Sequence, residues 1–289
     1  MIFHDLIAGL VVDDTQMIKK GTKSAGVAPQ HCGATNHTEN CQVAVMLSYT
    51  TERGHAFIRH RLYLPERRTS DRERCREADI PDEVAFATKP AQAVELIGEA
   101  VDTRVPFGWA AVDGGYGQYA TVRHYLREQR LRYVAAVPSS FPLAALPGHQ
   151  DAGRSTVKRA DGLLTRITGQ RWERRSCGEG SKGQRFYDWA LFEVNVKDDH
   201  PADGFAHSLL IRRSVSDPGK AGYFLVHAPA GTTMSVMVAC AGLRWKIEED
   251  NRHGTRLTGL DDYQVRTWTA WHHQITACMF AHAFLVLAA

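Results

Sequence analysis

The sequence predicts a mixed α/β fold in which antiparallel strands come first, parallel strands follow, and helices flank the sheet. Three observations carry that expectation. Residues 8–66 hold apolar runs of strand length joined by Gly-rich and polar connections. Residues 89–138 alternate helical and strand periodicity, the pattern of parallel strands joined by right-handed crossovers. Residues 139–231 return to strand-like runs, and helical spacing resumes at Thr232.

Taken in order, "GLVVDDT" (9–15) and "CQVAVMLSY" (41–49) are short buried runs, and "HAFIRHRLYLP" (55–65) alternates. Consecutive antiparallel pairing is expected of these three. "PAQAVELIGEAVDTR" (90–104) has helical spacing, "FGWAAVD" (107–113) reads as a buried strand, "YATVRHYLREQ" (119–129) as a helix and "RYVAAVP" (132–138) as a strand. Turn-forming "PSSFPLAALPGHQDAGR" then opens a β-rich stretch with runs at 184–196, 207–213 and 222–228. A helix follows through "MSVMVACAGLRWKIEEDNRHGTRL" (234–257), and a closing helix begins near Val265. The domain reading is therefore 1–138 for the first part of a core, 139–231 for a β-rich insertion, and 232–289 for the helices that complete the core.

This is the element order of a ribonuclease H-like mixed sheet with an insertion before its last catalytic helix. A doubly wound nucleotide-binding sheet is the main rival. Against it, the Gly-rich turn "DGGYGQ" (113–118) is not a phosphate-cradling pattern and has no P-loop lysine.

Composition narrows the functional classes. Hydrophobic content of 44% and charged content of 23% are those of an ordinary globular chain, not a disordered one. The net charge of +3 is too small to identify a polyanion partner by itself. The basic run at 59–76 reads as a solvated face. Six cysteines without paired spacing indicate neither a disulfide framework nor a zinc ribbon. Cys278 and His282, four apart and preceded by His272 and His273, read as incidental residues of a buried helix. That segment, "ITACMFAHAFLVLAA", is short for a membrane span and carries His282, and "LIAGLVV" lacks the basic lead of a signal peptide. A reduced, cytoplasmic setting without membrane association is expected.

Three acidic stretches carry the chemistry. Asp13 or Asp14, and Asp113, are expected at the C-terminal ends of adjacent strands, the edge of an α/β sheet where ligands collect. In "GLRWKIEEDN" (242–251), Val236, Cys240, Leu243 and Ile247 form a core-facing stripe, with Glu248 at its edge. Glu249 and Asp250 are expected to turn toward solvent, and Arg244 and Arg252 lie one turn either side of Glu248. Carboxylate oxygens select Mg²⁺ or Mn²⁺ over zinc, and two such ions about 4 Å apart suit in-line transfer at a phosphodiester. Trp172, Arg174, Arg175 and Trp189 are candidates for stacking on DNA and holding its phosphates.

The stretches 10–45, "DGGYGQ" and "RWKIEEDNRHGTRLTGLDDYQVRTWTAWHH" (244–273) resemble bacterial DDE transposases of the insertion-sequence-701 group, in the insertion-sequence-4-like class. "LYLPERRTSDRERCREADIP" (62–81) and "FATKPAQA" (86–93) extend the resemblance over nearly the whole chain. It implies a ribonuclease H-like catalytic domain, two Mg²⁺ ions for which Mn²⁺ substitutes, and cutting and joining of transposon-end DNA in the nucleoid by a homodimer within a synaptic complex. Asp13 matches the first acid in a D-x-T pattern, with Asp14 beside it as the alternative, and Asp113 matches the second. Arg244 and Glu248 fall on the signature Tyr-x2-Arg-x3-Glu-x6-Lys. Lys19, Lys20, Trp172, Arg244, Arg252 and Thr255 are the DNA-contact candidates. Two departures stand out: Ala241 holds the signature tyrosine position and Thr255 the lysine position. The N-terminal DNA-binding helices of the family are also expected to be missing, so a truncated or decayed copy is implied. The competing readings are a non-catalytic DNA-binding remnant and a ribonuclease H-like nuclease without strand transfer.

Overall fold

A computed structural model describes residues 8–51, 53–144, 159–167, 169–180, 183–197 and 199–288. The chain forms two compact units, Met1–Val11 with Pro106–Trp245, and Val12–Val105 with Lys246–Ala289. Most of the turn-rich stretch 138–154 lies outside the described residues.

The second unit is organised around one long strand. β1 (Gly9–Ile18), β2 (Ala28–Cys32), β3 (His37–Thr50) and β4 (His55–Tyr63) follow in sequence. β3 carries β2 antiparallel along its first half (Cys32↔His37) and β4 antiparallel along its second (Val43↔Tyr63), and it also neighbours β1. Residues 41–48 are buried without alternation, which fits a strand covered on both faces. The β3–β4 pairing agrees with expectation. β2 was not expected, because "APQHC" has a proline and almost no apolar period.

β1 differs from expectation in length. Its apolar start is followed by Asp13 and Asp14, yet the strand continues to Ile18 with alternating burial. The aspartates therefore sit within a strand and not at its end.

Two short helices, α1 (Glu66–Thr69) and α2 (Arg72–Glu77), precede α3 (Lys89–Asp102). Thr88 caps α3 by accepting the Ala91 N–H, Pro90 occupies its first turn, and Arg104 leaves it with φ 55°. Its stripe of Ala93, Leu96, Ile97 and Ala100 is buried, and the helix packs on β3 and β4. Part of the basic run is ion-paired here: Arg59 and Arg61 share Glu99, and Arg72 pairs with Asp82. The closing helix α7 (Trp268–Ala288) lies against β4.

The first unit begins with a β-α-β step. β5 (Trp109–Val112) leads through one-turn α4 (Gly114–Gly117) and α5 (Ala120–Glu128) into β6 (Tyr133–Val137), parallel to β5. Four later strands follow: β7 (Glu173–Gly180), β8 (Gly183–Glu193), β9 (Phe205–Ser214) and β10 (Ala221–Pro229). β10 pairs antiparallel with β6, and β9, β8 and β7 extend the sheet in that order. The β-rich stretch thus continues the sheet from β6. β7 escaped the sequence reading because "ERRSCGEG" buries only Cys177.

α6 (Met234–Thr258) packs its first three turns on this sheet, where Val238, Cys240 and Ala241 meet Trp189, Leu210 and Phe224. Two glycines permit the closest approaches. A Cβ on Gly242 would stand 1.8 Å from the Cys177 carbonyl oxygen, and one on Gly117 would stand 2.3 Å from that of Ala136. The glycines of "GLRW" and "DGGYG" therefore set how tightly helix and sheet pack.

Candidate active site

In the first unit, Asp113 follows directly on β5, at the C-terminal end of a parallel strand as expected. It is also the N-cap of α4, where its Oδ2 accepts a long 3.4 Å bond from the Gly115 N–H. Its Oδ1 receives Arg244 Nη1 at 3.2 Å, 131 residues away in sequence. The structure thus brings together two of the residues that the sequence singled out, an acid and the signature arginine.

Trp172 lies under the Arg213 guanidinium, 4.2 Å from the ring centroid, and Arg213 and Arg174 both pair with Asp188 at 3.3 and 3.0 Å. These bonds hold the Asp188 carboxyl below its usual range, the Arg174 bond being the largest cause. Arg175 donates to Ser235 Oγ at 2.6 Å and pairs with Glu173. Trp189 is fully buried in the core and donates to the Arg175 carbonyl, so of the two tryptophans it is not a DNA-stacking surface.

In the second unit, Asp13 and Asp14 are consecutive in β1 and so point to opposite faces of the strand. Asp14 binds Lys89 Nζ through Oδ2 at 2.6 Å and Gln16 Nε2 through Oδ1 at 2.5 Å. Asp13 Oδ1 accepts the Asp14 N–H at 2.8 Å. Lys19 is buried, its ammonium donates to the Tyr263 carbonyl, and burial lowers its pKa; Lys20 is exposed.

The lower half of α6 corrects the expectation for its acids. Glu248 is half-buried, but Glu249 and Asp250 are buried, Asp250 completely. The reason is visible in the helical spacing: Leu243, Ile247, Asp250 and Gly254 continue one stripe at intervals of four, three and four. A polar residue on that stripe needs partners. Asp250 Oδ2 accepts Ser48 Oγ at 2.6 Å, its Oδ1 meets His55 Nδ1 at 2.6 Å, and His282 Nε2 lies 3.6 Å away. Glu249 is held by Lys246 at 2.9 Å and faces His55 Nε2 at 3.5 Å. His282, expected to be incidental on a buried helix, is packed in this cluster, and burial pushes its pKa down. Cys278 donates its thiol to the Thr258 carbonyl at 3.1 Å. Arg252 is half-buried, and Thr255 turns its hydroxyl back onto the Arg252 carbonyl at 3.1 Å.

Sequence reasoning missed Lys89, the Ser48–His55–Asp250 group, and the arginines Arg185 and Arg212. Lys89 and its partner Asp14 are 75 residues apart, and no local pattern links them. Among the described residues, no group of three or more His, Cys, Asp or Glu side chains is gathered to hold a metal ion. The donor chemistry of Asp13, Asp113 and Glu248 is nevertheless all carboxylate, the type that Mg²⁺ and Mn²⁺ prefer. Among the described residues, no helix is long and apolar enough to cross a membrane.

Comparison with known proteins bears on these residues. No curated protein matches the chain. Among solved structures, the NurA nuclease from Sulfolobus solfataricus overlays with 8% identity, covering 100% of this chain and 85% of that one. The TM-score of 0.33 is too low for that likeness to carry weight. The model of the DDE superfamily endonuclease family matches residues 3–177, more than half of the chain, and this stretch includes Asp13, Asp14 and Asp113 but ends before Glu248. The chain belongs to the DDE superfamily endonucleases, a nuclease family.

Proposed function

We propose that this chain is the catalytic domain of a DDE transposase of the insertion-sequence-701 group, which cuts transposon-end DNA and joins it to a target. The observation that carries this reading is the Asp113–Arg244 bridge within a chain of the DDE endonuclease family. A strand-end aspartate is oriented by an arginine four residues, about one helical turn, before Glu248, the spacing of the family's signature.

In this reading Asp13, Asp113 and Glu248 are the three carboxylates of the site. Asp13 is taken as the first acid because it falls on the D-x-T pattern, with Asp14, bound to Lys89 and Gln16, as the alternative. These residues would hold Mg²⁺, or Mn²⁺ in its place, as a pair of ions. Bound there, the ions would supply charge neutralisation for an in-line displacement at a phosphodiester. Arg244 fixes the Asp113 carboxylate, and Glu248 presents its own from the half-buried face of α6. Water is the nucleophile for the first cut, and a DNA 3′ hydroxyl for the joining step. A homodimer in a synaptic complex, working at the nucleoid, completes the proposal. Lys20, Arg252 and Trp172 remain its DNA contacts, while Lys19 is committed to the Tyr263 carbonyl.

The test is a plasmid carrying the element's ends, incubated with purified protein and Mg²⁺, with nicked and joined products separated on a gel. Both products should form, and Asp113→Asn or Glu248→Gln should remove both. Nicks without joined products would assign a nuclease that lacks strand transfer. Nicking that persists in both acid variants would overturn the site.

A further inference from the structure

Among the described residues of the first unit, Arg212 and Arg185 are packed against aromatic rings without an ion-paired carboxylate. Arg212, on β9, is partly buried, and its guanidinium carbon lies over two rings, 4.4 Å from the Tyr187 centroid and 5.4 Å from that of Phe224. It rests beside Gly222 on the neighbouring strand, where a Cβ would meet its Nη2 at 3.5 Å. Arg185, on β8, stacks on Trp245 at 5.2 Å and spends one nitrogen on the carbonyls of Cys177 and Gly242, both at 3.1 Å. Its Nε is buried without a partner. Among the described residues neither arginine has a carboxylate within ion-pair distance, whereas Arg213, next in sequence to Arg212, is paired with Asp188.

Register explains the difference. Arg212 opposes Trp189 across β8–β9 and Arg213 opposes Asp188, so the two arginines point to opposite faces of the sheet. Arg212 shares the face of Trp189 and Phe224, against which α6 packs. Burial lowers the Arg212 pKa, and Arg244 and Arg185 both stand near enough to oppose its charge as well. Three guanidinium groups that repel one another, with only Arg244 bonded to an acid, are costly unless an anion joins them. An arginine fork stacked on aromatic rings is preorganised for bidentate binding of a phosphate.

We propose that Arg212 and Arg185, with Arg244 beside Asp113, form a phosphate-binding subsite that seats a backbone phosphate of the DNA strand. The proposal rests on the reading of this chain as a DNA-processing enzyme. It names residues that the family signature does not contain, apart from Arg244. The rings of Tyr187, Phe224 and Trp245 pack against the two guanidinium groups, which restricts where their donors can point.

The test measures binding of a fluorescent DNA duplex by anisotropy over a KCl series in Ca²⁺, with wild type, Arg212→Met and Arg212→Lys. Methionine keeps apolar cover on the rings, and lysine keeps the charge without the fork. Arg212→Met should weaken binding about tenfold. It should also lower the slope of log affinity against log salt by about 0.9, the loss of one phosphate contact. Arg212→Lys should weaken binding less and keep the slope; because it retains both charge and stem, it also keeps the test alive if the methionine variant fails to fold. A merely structural arginine would change melting temperature but leave the slope of the folded protein unmoved, and that result overturns the subsite. Pyrophosphate, titrated calorimetrically in parallel, separates the sources: weak binding supports a strand phosphate, and binding tighter than DNA assigns the site to a free polyphosphate and overturns the strand assignment. Unchanged DNA affinity in both variants removes the subsite and leaves the enzyme reading standing. A wild type that binds no DNA removes that reading itself.

Discussion

Glu248 and Asp250 are two residues apart on α6, and the fold treats them in opposite ways. Asp250 is fully buried and its oxygens are taken by Ser48 and His55. Glu248 is half-buried on the adjoining face. In β1 the two aspartates are both partly buried, Asp14 bound by Lys89 and Gln16 and Asp13 accepting its neighbour's backbone N–H. An acid enclosed by protein donors stabilises the fold, because exposing its partners unpaired is costly. An acid on a face that solvent reaches can exchange its partners, which binding a metal requires. Being acidic and adjacent to a motif therefore does not distinguish Glu248 from Asp250; the depth of burial does.

The largest effect that sharpens this contrast is catalytic. Asp113→Asn and Glu248→Gln should each lower the DNA-nicking rate about 10³-fold or more. Glu249→Gln, which loses a contact to Lys246, should lower it far less. Equal losses in all three, measured on folded protein, would erase the distinction between Glu248 and its neighbours.

A second effect concerns stability. Asp250→Ala leaves Ser48, His55 and His282 around an empty position, and should cost about 3 kcal/mol in chemical denaturation. Asp217→Ala breaks an exposed pair with Lys220 and should leave stability nearly unchanged. An Asp250→Ala protein as stable as wild type would show that the buried cluster is not what anchors the lower half of α6.

Acid sensitivity is smaller and has a defined sign. His60 on β4 and His272 on α7 are in contact, Nε2 to Nδ1 at 3.1 Å. Burial, followed by the other histidine and Arg61, lowers the His60 pKa from 6.5 to about 4. Burial, followed by Arg61 and His273, lowers that of His272 to about 4 as well. Between those values the unfolded chain takes up protons that the folded chain does not, so stability is lost as pH falls from 6.5 toward 4. Replacing His60 with Gln should make that loss shallower in pH-dependent melting curves. An unchanged acid limb would mean that other groups, such as His207, dominate it.

The smallest effect is at Thr255. Its hydroxyl is returned to the Arg252 carbonyl, so it offers DNA little. Thr255→Lys should tighten binding of transposon-end DNA several-fold in Mg²⁺, measured by gel shift. No gain would indicate that Arg252 already fills the role of the signature lysine.

Much of the architecture was legible because burial imposes periodicity. The β5–α5–β6 step and the boundaries of α6 agree with the runs read from apolar spacing. β2 and β7 were invisible, since each is held by backbone pairing while its side chains are mostly polar. Asp113 was legible as a strand-end acid. The inward turn of Asp250 was also written in the sequence, at i+3 from Ile247, but an apolar stripe gives no warning that it contains a carboxylate. Its partners Ser48 and His55 lie about two hundred residues away, and only the fold brings them together.

The most direct test of the carboxylate site counts metal. Manganese titrated into the metal-free protein and followed by electron paramagnetic resonance should show two bound Mn²⁺ per wild-type chain with DNA present. Asp113→Asn should bind fewer, and Asp14→Asn should bind as wild type does. Full Mn²⁺ binding by Asp113→Asn, or its loss in Asp14→Asn with Asp13→Asn unaffected, would contradict the assignment of Asp13, Asp113 and Glu248.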